Sequence, residues 1–171
     1  VEDQDYKRLL VAVFNDSDIR KKFVNGIGGI RHHHNYIGGL LEHTVQVTVL
    51  ALQAVDGPFC FPDLNRDLII TGGLLHDIGK TNEYLFSKSL KMNPDGIEHR
   101  YEGISMIDMI VYKNNLDIDP SKLRPLKNII MSHHGDYGDS SIKIEYPEGI
   151  VIHHADATSA HVNKHFITEG N

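Results

Sequence analysis

The sequence predicts an all-α fold. Two features carry that expectation: apolar residues recur at three- and four-residue spacing along most of the chain, and Asp, Gly or Pro stands where each such run would start or stop. No internal repeat, linker or low-complexity segment interrupts the 171 residues, a length that suits one domain, 1–171, with a real core. Because the chain opens on Val1 rather than Met, it is expected to be a piece of a longer one.

Residues 3–14 place Tyr6, Leu9, Leu10, Val13 and Phe14 on one helical face. Asp16-Ser17-Asp18 then caps a short second helix ending near Phe23. Residues 25–30 are glycine-rich and read as a loop; without the lysine and preceding strand of a P-loop, they offer no phosphate cradle. Arg31-His32-His33-His34-Asn35 follows, inside the fold rather than as a terminal tag. Gly38-Gly39 introduces a long helix over about 40–55, where Leu40, Val47, Leu50 and Ala54 share a face with His43, and Gly57-Pro58 ends it.

Asp63 is the expected cap of the next helix, whose apolar run through Leu68-Ile69-Ile70 and Leu74-Leu75 ends in His76-Asp77 before Gly79. Between 81 and 97 the chain is mixed and polar, with Tyr84-Leu85-Phe86 as a short strand and Asn93-Pro94-Asp95-Gly96 as a turn. Glu102 to Asn115 reads as a helix giving Ile104, Ile107, Met109, Ile110 and Val111 to the core. Pro120-Ser121 opens another, through Leu126, Ile129 and Ile130 to His133-His134, where Gly135 stops it. A polar loop over 136–141 leads to Pro147, and a last helix over 150–166 contains Asp156.

Composition excludes several classes. A net charge of −6 and a pI near 6.0 give no broad basic face for general nucleic-acid binding. One cysteine, Cys60, allows neither a disulfide framework nor a thiolate metal site. No run approaches the ~18 apolar residues of a membrane span, and no signal-like segment opens the chain, so no membrane partner and a cytoplasmic location are expected. Nothing specifies an oligomeric state. The outlier is histidine: there are 12, and they are grouped.

His43, His76-Asp77, His99, His133-His134 and Asp156 each stand in or at the end of an apolar segment. Burying such groups is costly unless something offsets the lost hydration, and a metal ion is the usual partner. Any one of them has an ordinary explanation: a core histidine bonded to a carbonyl at 43, a capping residue at 99, a pair favouring the helix dipole at 133–134. Seven such residues together do not. Imidazole and carboxylate without thiolate suit Mn, Fe, Co, Ni or Zn, and fit neither a structural zinc site nor a calcium loop. Six or seven ligands exceed what one ion with an open position takes. Two divalent ions bridged by a carboxylate use them all, with Asp77, in the middle of the set, as the bridge. Paired metals lower the pKa of a shared water and clamp a phosphoryl oxygen, which is the chemistry of phosphoester hydrolysis.

That order of residues resembles the HD-domain metal-dependent phosphohydrolases over nearly the whole chain. Within that superfamily, the run His33-His34-Asn35-Tyr36-Ile37-Gly38-Gly39-Leu40-Leu41-Glu42-His43-Thr44 looks most like the catalytic domain of YhaM-type 3′-5′ exoribonucleases, as do His76-Asp77-Ile78-Gly79-Lys80 and Glu83. The resemblance implies an HD-domain helical bundle with its metal site between helix ends. It implies one metal held by His43, His76, Asp77 and Asp156, and a second held by Asp77, His99 and His133, with His134 as a ligand or a substrate contact. The chain departs from that group in two respects: no counterpart of an N-terminal oligonucleotide-binding barrel stands within these residues, and Ser159 and His161 follow the last Asp where an acidic residue and a lysine are usual.

Asp77, Lys80 and His134 are therefore the candidate catalytic residues. Lys80, which cannot ligate a metal while charged, either meets substrate phosphate or pairs with Glu83. Arg31, His33 and His34 are expected with Lys80 as substrate contacts at a pocket mouth, with His32 facing solvent. His153, His154, His161 and His165 are spread around the last helix and are expected to be mostly bystanders. The expected function is a phosphohydrolase or phosphodiesterase acting, through a metal-activated water, on nucleotides or single-stranded nucleic-acid ends. A hydrolase of a nucleoside monophosphate or cyclic dinucleotide is the second reading, and a non-catalytic metal-binding signalling module the third.

Overall fold

The computed structural model describes all residues except 31, 32, 59, 87–89, 139, 140, 170 and 171, and the side chains of 85, 86, 90, 137 and 167–169. Capping sets the first elements. α1 (Gln4–Asn15) begins where the Asp3 carboxylate accepts from the N–H groups of Asp5 and Tyr6, and α2 (Ser17–Asn25) where Asp16 accepts from Asp18 and Ile19. Each cap of this kind is worth ~1 kcal/mol. α3 (Gly39–Asp56), α4 (Arg66–Leu75) and the single turn α5 (Lys80–Glu83) follow. After a hairpin of β1 (Tyr84–Phe86) and β2 (Leu90–Met92) come α6 (His99–Lys113), α7 (Pro120–Ser132), a 3₁₀ turn at Gly135–Tyr137, and α8 (Pro147–Glu169).

The all-α expectation holds, with four local corrections. The cap of α4 is Asn65, whose side chain accepts from Leu68 N–H, while Glu148 of α8 accepts from the Asn65 N–H; Asp63 caps nothing there. The short strand at Tyr84 has an antiparallel partner, with Tyr84 opposite Met92, because a lone three-residue strand leaves its backbone groups unpaired. Helix α6 starts three residues earlier than the apolar pattern suggests, so that His99 is its first residue rather than one before it. Leu50 and Met109 are 41% and 54% exposed rather than core, since both stand at or beyond the edge of the buried faces of their helices.

The core is built on α3, which packs against α4 and α8, with α7 against α4, α6 and α8. Leu40, Val47, Leu75, Ile107, Leu126, Ile129, Ile130 and Ile152 are fully buried there. Two glycines set how closely α4 sits. A Cβ on Gly73 would lie 2.8 Å from Thr48 Oγ1 of α3, and one on Gly72 would lie 2.7 Å from Ile152 Cδ1 of α8. That closeness brings the end of α4 beside His43 and Asp156.

Candidate metal centre

Two of the inward histidines are aimed by a local device. His76 and His133 each follow the last residue of a helix, where carbonyls lack partners. The His76 Nδ1–H donates to the Gly73 carbonyl and that of His133 to the Ile130 carbonyl, both at 2.8 Å. Each ring thereby caps its helix and keeps a lone pair on Nε2. His43 comes from the middle of α3, Asp156 from α8, and His99 from the first turn of α6. The turn carrying Asp77 presses against α6 because residue 79 is glycine: a Cβ there would lie 1.9 Å from the His99 carbonyl oxygen.

These groups converge on the Asp77 carboxylate, which is 1% exposed. Its Oδ2 lies 3.5 Å from His43 Nε2 and 3.4 Å from His76 Nε2. Its Oδ1 lies 3.5 Å from both His99 Nε2 and His133 Nε2. His43 Nε2 is also 3.0 Å from Asp156 Oδ1 and 3.4 Å from His76 Nε2. Two clusters result, each close enough to hold an ion: His43, His76 and Asp156, and Asp77, His99, His133 and His134. One oxygen of Asp77 is turned to each.

The donor chemistry fits divalent cations. Asp77 Oδ1, His99 Nε2 and His133 Nε2 are buried without a hydrogen-bond partner among the described residues. A buried orphan costs ~1–3 kcal/mol each unless something satisfies it, and here lone pairs face lone pairs. Burial drives most of the rings toward their neutral, ligating forms: His43 is pushed down to about 4 and His134 to about 2, and His133 is lowered as well. His76 differs: burial would lower it, but the charge and hydrogen bonding of Asp77, with the charge of Asp156, together raise it. Burial would raise the two carboxyls, but Lys80 first, then His76, holds Asp77 well below the usual range, and the His43 ring 3.0 Å away does the same for Asp156.

Lys80 pairs with a carboxylate other than Glu83. Its Nζ donates to Asp77 Oδ2 at 2.6 Å from an almost buried side chain, while Glu83 lies instead 3.4 Å from His99 Nδ1. The Glu98 carboxylate is 3.2 Å from the same nitrogen. Lys80 also lines a pocket of about 420 Å³ together with His33, His134, His153 and Asp156. His33 thus stands at the pocket, its pKa pushed by burial to about 3. His34 does not: it is fully buried, with Nε2 3.1 Å from Gln46 Oε1, because the chain turns inward there through a left-handed backbone at φ 51°. Arg31 and His32 lie outside the described residues. His153, expected as a bystander, lines the pocket and donates from Nδ1 to the His133 carbonyl at 2.6 Å; exposed His161 lines it too. His154 and His165 are exposed.

Sequence reasoning did not find Ser159 and Gln46, which stand behind His43, or the role of Glu83 and Glu98 behind His99. Spacing alone offered a signal for the first pair, since each lies three residues, about one turn, after a ligand on its own helix. A larger cavity, about 670 Å³, is lined by Leu50, Leu64, Ile150, Val151 and His154 and by none of the candidate ligands. It is apolar and lacks the convergent polar groups of the Asp77 cluster.

The family model described as HD domain matches residues 40–161. A dihydroneopterin 2′,3′-cyclic phosphate phosphodiesterase of Methanocaldococcus jannaschii is 33% identical over 141 residues, 78% of this chain and 51% of that protein. The 3′-5′ exoribonuclease YhaM of Listeria monocytogenes is 30% identical over 162 residues, 94% of this chain and 49% of that protein. Its counterpart in Bacillus licheniformis is 28% identical over 145 residues, covering 84% and 45%. The chain therefore spans about half the length of the curated relatives it matches. No solved structure matches it significantly. Among the described residues, no helix is long and apolar enough to cross a membrane.

Proposed function

The chain belongs to the HD domain family, and from that premise we propose that residues 1–171 act as one metal-dependent phosphohydrolase domain with a two-metal centre on Asp77. The supporting observation is the convergence of buried imidazole nitrogens on both oxygens of one carboxylate, with Oδ1, His99 Nε2 and His133 Nε2 left without a hydrogen-bond partner among the described residues. In this reading His43, His76, Asp77 and Asp156 hold one ion, and Asp77, His99, His133 and His134 the other. Mn, Fe, Co, Ni and Zn all suit such a donor set. Ions held there would supply an activated water and Lewis-acid stabilisation of phosphoryl charge. Lys80 orients the Asp77 carboxylate and brings a fixed positive charge to the pocket where charge develops on the phosphoryl group. His33, in its neutral form, contacts substrate beside it, and Arg31 is assigned the same role.

The substrate class proposed is a phosphodiester of a nucleotide or of a single-stranded RNA end, in line with the activities for which the exoribonuclease and phosphodiesterase relatives are named. A small cyclic phosphodiester is the second reading, favoured by the −6 charge, which gives little attraction to a long phosphate backbone, and by a pocket of nucleotide size. The single Cys60 suits a reducing compartment such as the cytoplasm. Elemental analysis, with assays of a chromogenic phosphodiester and a phosphomonoester, tests the reaction class. Two ions per chain and preference for the diester are expected; metal retained without turnover of either would instead indicate a sensing module. Comparing a single-stranded RNA with a 2′,3′-cyclic nucleotide then separates the two substrate readings.

A further inference from the structure

His76 and His133 settle which ring nitrogen carries the proton by donating to a carbonyl three residues back. His43, in mid-helix, settles it across the fold. Its Nδ1 lies 2.9 Å from Ser159 Oγ on α8, and a hydroxyl can either donate or accept. Ser159 Oγ lies in turn 2.8 Å from Gln46 Oε1, which can only accept. The hydroxyl proton is therefore committed to Gln46, and Ser159 must accept from His43 Nδ1–H.

The orientation of the Gln46 amide is itself held. Gln46 Nε2 donates to Glu42 Oε1 at 3.1 Å one turn back on α3, and the flipped amide would set oxygen against oxygen. The same Oε1 lies 3.1 Å from His34 Nε2, so His34 donates from Nε2. A neutral His34 then offers its Nδ1 lone pair to His33 Nδ1 at 3.0 Å, which must carry the proton. His33, His34 and His43 lie close enough to hold an ion of their own, yet this chain of hydrogen bonds accounts for their grouping without one.

We propose that Gln46, oriented by Glu42, is a positioning residue that sets the tautomers of His43 through Ser159 and of His33 through His34, leaving the lone pair on Nε2 of both. For His43 that is the nitrogen facing Asp77 and Asp156. The effect on metal binding rests on the reading of His43 as a ligand; the tautomers do not.

Histidine ¹⁵N NMR of the full chain freed of metal by chelator reads the tautomers directly. The proton is expected on Nδ1 of His43 and His33 and on Nε2 of His34. Gln46→Leu removes the acceptor, frees the Ser159 hydroxyl to donate to His43, and should move His43 toward the Nε2–H form. Affinity for added Mn²⁺ should fall roughly 10–100-fold, the usual cost of losing a group that orients a ligand. The swap Glu42→Gln with Gln46→Glu keeps an acceptor at 46 and a donor at 42, and should restore both. Ser159→Ala, checked by melting, should relax the tautomer of His43 alone and leave those of His33 and His34 in place. A wild-type His43 protonated on Nε2, or an unchanged tautomer in Gln46→Leu, overturns the proposal. Expected tautomers in a chain that binds no Mn²⁺ would support the positioning network and overturn the metal reading instead.

Discussion

Around Asp77 Oδ2 the structure supplies its own cation, the Lys80 ammonium at 2.6 Å, and couples His43 to Asp156 at 3.0 Å. Around Oδ1 it supplies none: Oδ1, His99 Nε2 and His133 Nε2 stand buried at 3.5 Å spacings with no partner among the described residues. The supports behind the rings differ as well. His43, His76 and His133 lean on neutral acceptors, a serine hydroxyl and two carbonyls, whereas His99 on the Oδ1 side has the carboxylates of Glu83 and Glu98 behind its Nδ1. One side of the carboxylate is thus balanced by the fold and the other is not. An acidic backing makes an imidazole a stronger ligand, and the one carboxylate-backed ring stands on the side with least internal compensation.

The strongest way to break this asymmetry is to remove the group both sides share. Asp77→Ala should abolish metal occupancy and hydrolysis together. It should also cost ~3–5 kcal/mol of stability, because Lys80 is left buried without its counter-charge. Elemental analysis showing two ions retained would overturn Asp77 as the bridge.

Next in size is His99→Ala, which touches only the Oδ1 side. It should lose one ion and most activity while His43, His76, Asp77 and Asp156 keep the other. Full activity with two ions would make His99 a structural residue at the start of α6. Lys80→Ala acts on the Oδ2 side and should leave metal content intact, since an ammonium has no lone pair to ligate with. It should lower kcat/KM by roughly 10²–10³. Its melting temperature should fall more in chelator than with metal, because only bound cations then balance Asp77; equal losses would show that Lys80 and the ions do not share that task.

A milder probe is Glu83→Gln, which weakens the acidic backing of His99. Affinity for the second ion should drop roughly 10–100-fold with the first unchanged, as titration with Mn²⁺ would read. Acid should tell on both sides at once, more gently. His33, His43 and His134 are held at about 3, about 4 and about 2, below the ~6.5 of an unfolded histidine. Below that value the unfolded chain binds more protons than the folded one, so this stability is whole above ~pH 6.5 and is lost as pH falls toward the folded values. His76, raised by Asp77, opposes the trend as a single ring. In chelator the melting temperature should fall by several degrees between pH 7 and pH 5, and a flat profile would contradict the neutral state of the three rings.

The residue pattern by itself determined the helical class, because apolar spacing and caps are local properties. It also picked out the His and Asp residues that the structure brings together, because few ordinary roles put His and Asp at so many apolar helix ends. Even the aim of His76 and His133 is local, each ring bonding a carbonyl three residues back. What only the tertiary structure decided are the contacts between distant segments. Ser159 meets His43 across 116 residues, and Asn163 accepts from the backbone of His34 across 129. No helical period encodes such distances. Lys80 chose Asp77 over Glu83 for the same kind of reason: the turn at Gly79 packs α6 so closely that His99 stands beside Glu83, and the lysine is left to the carboxylate beneath it.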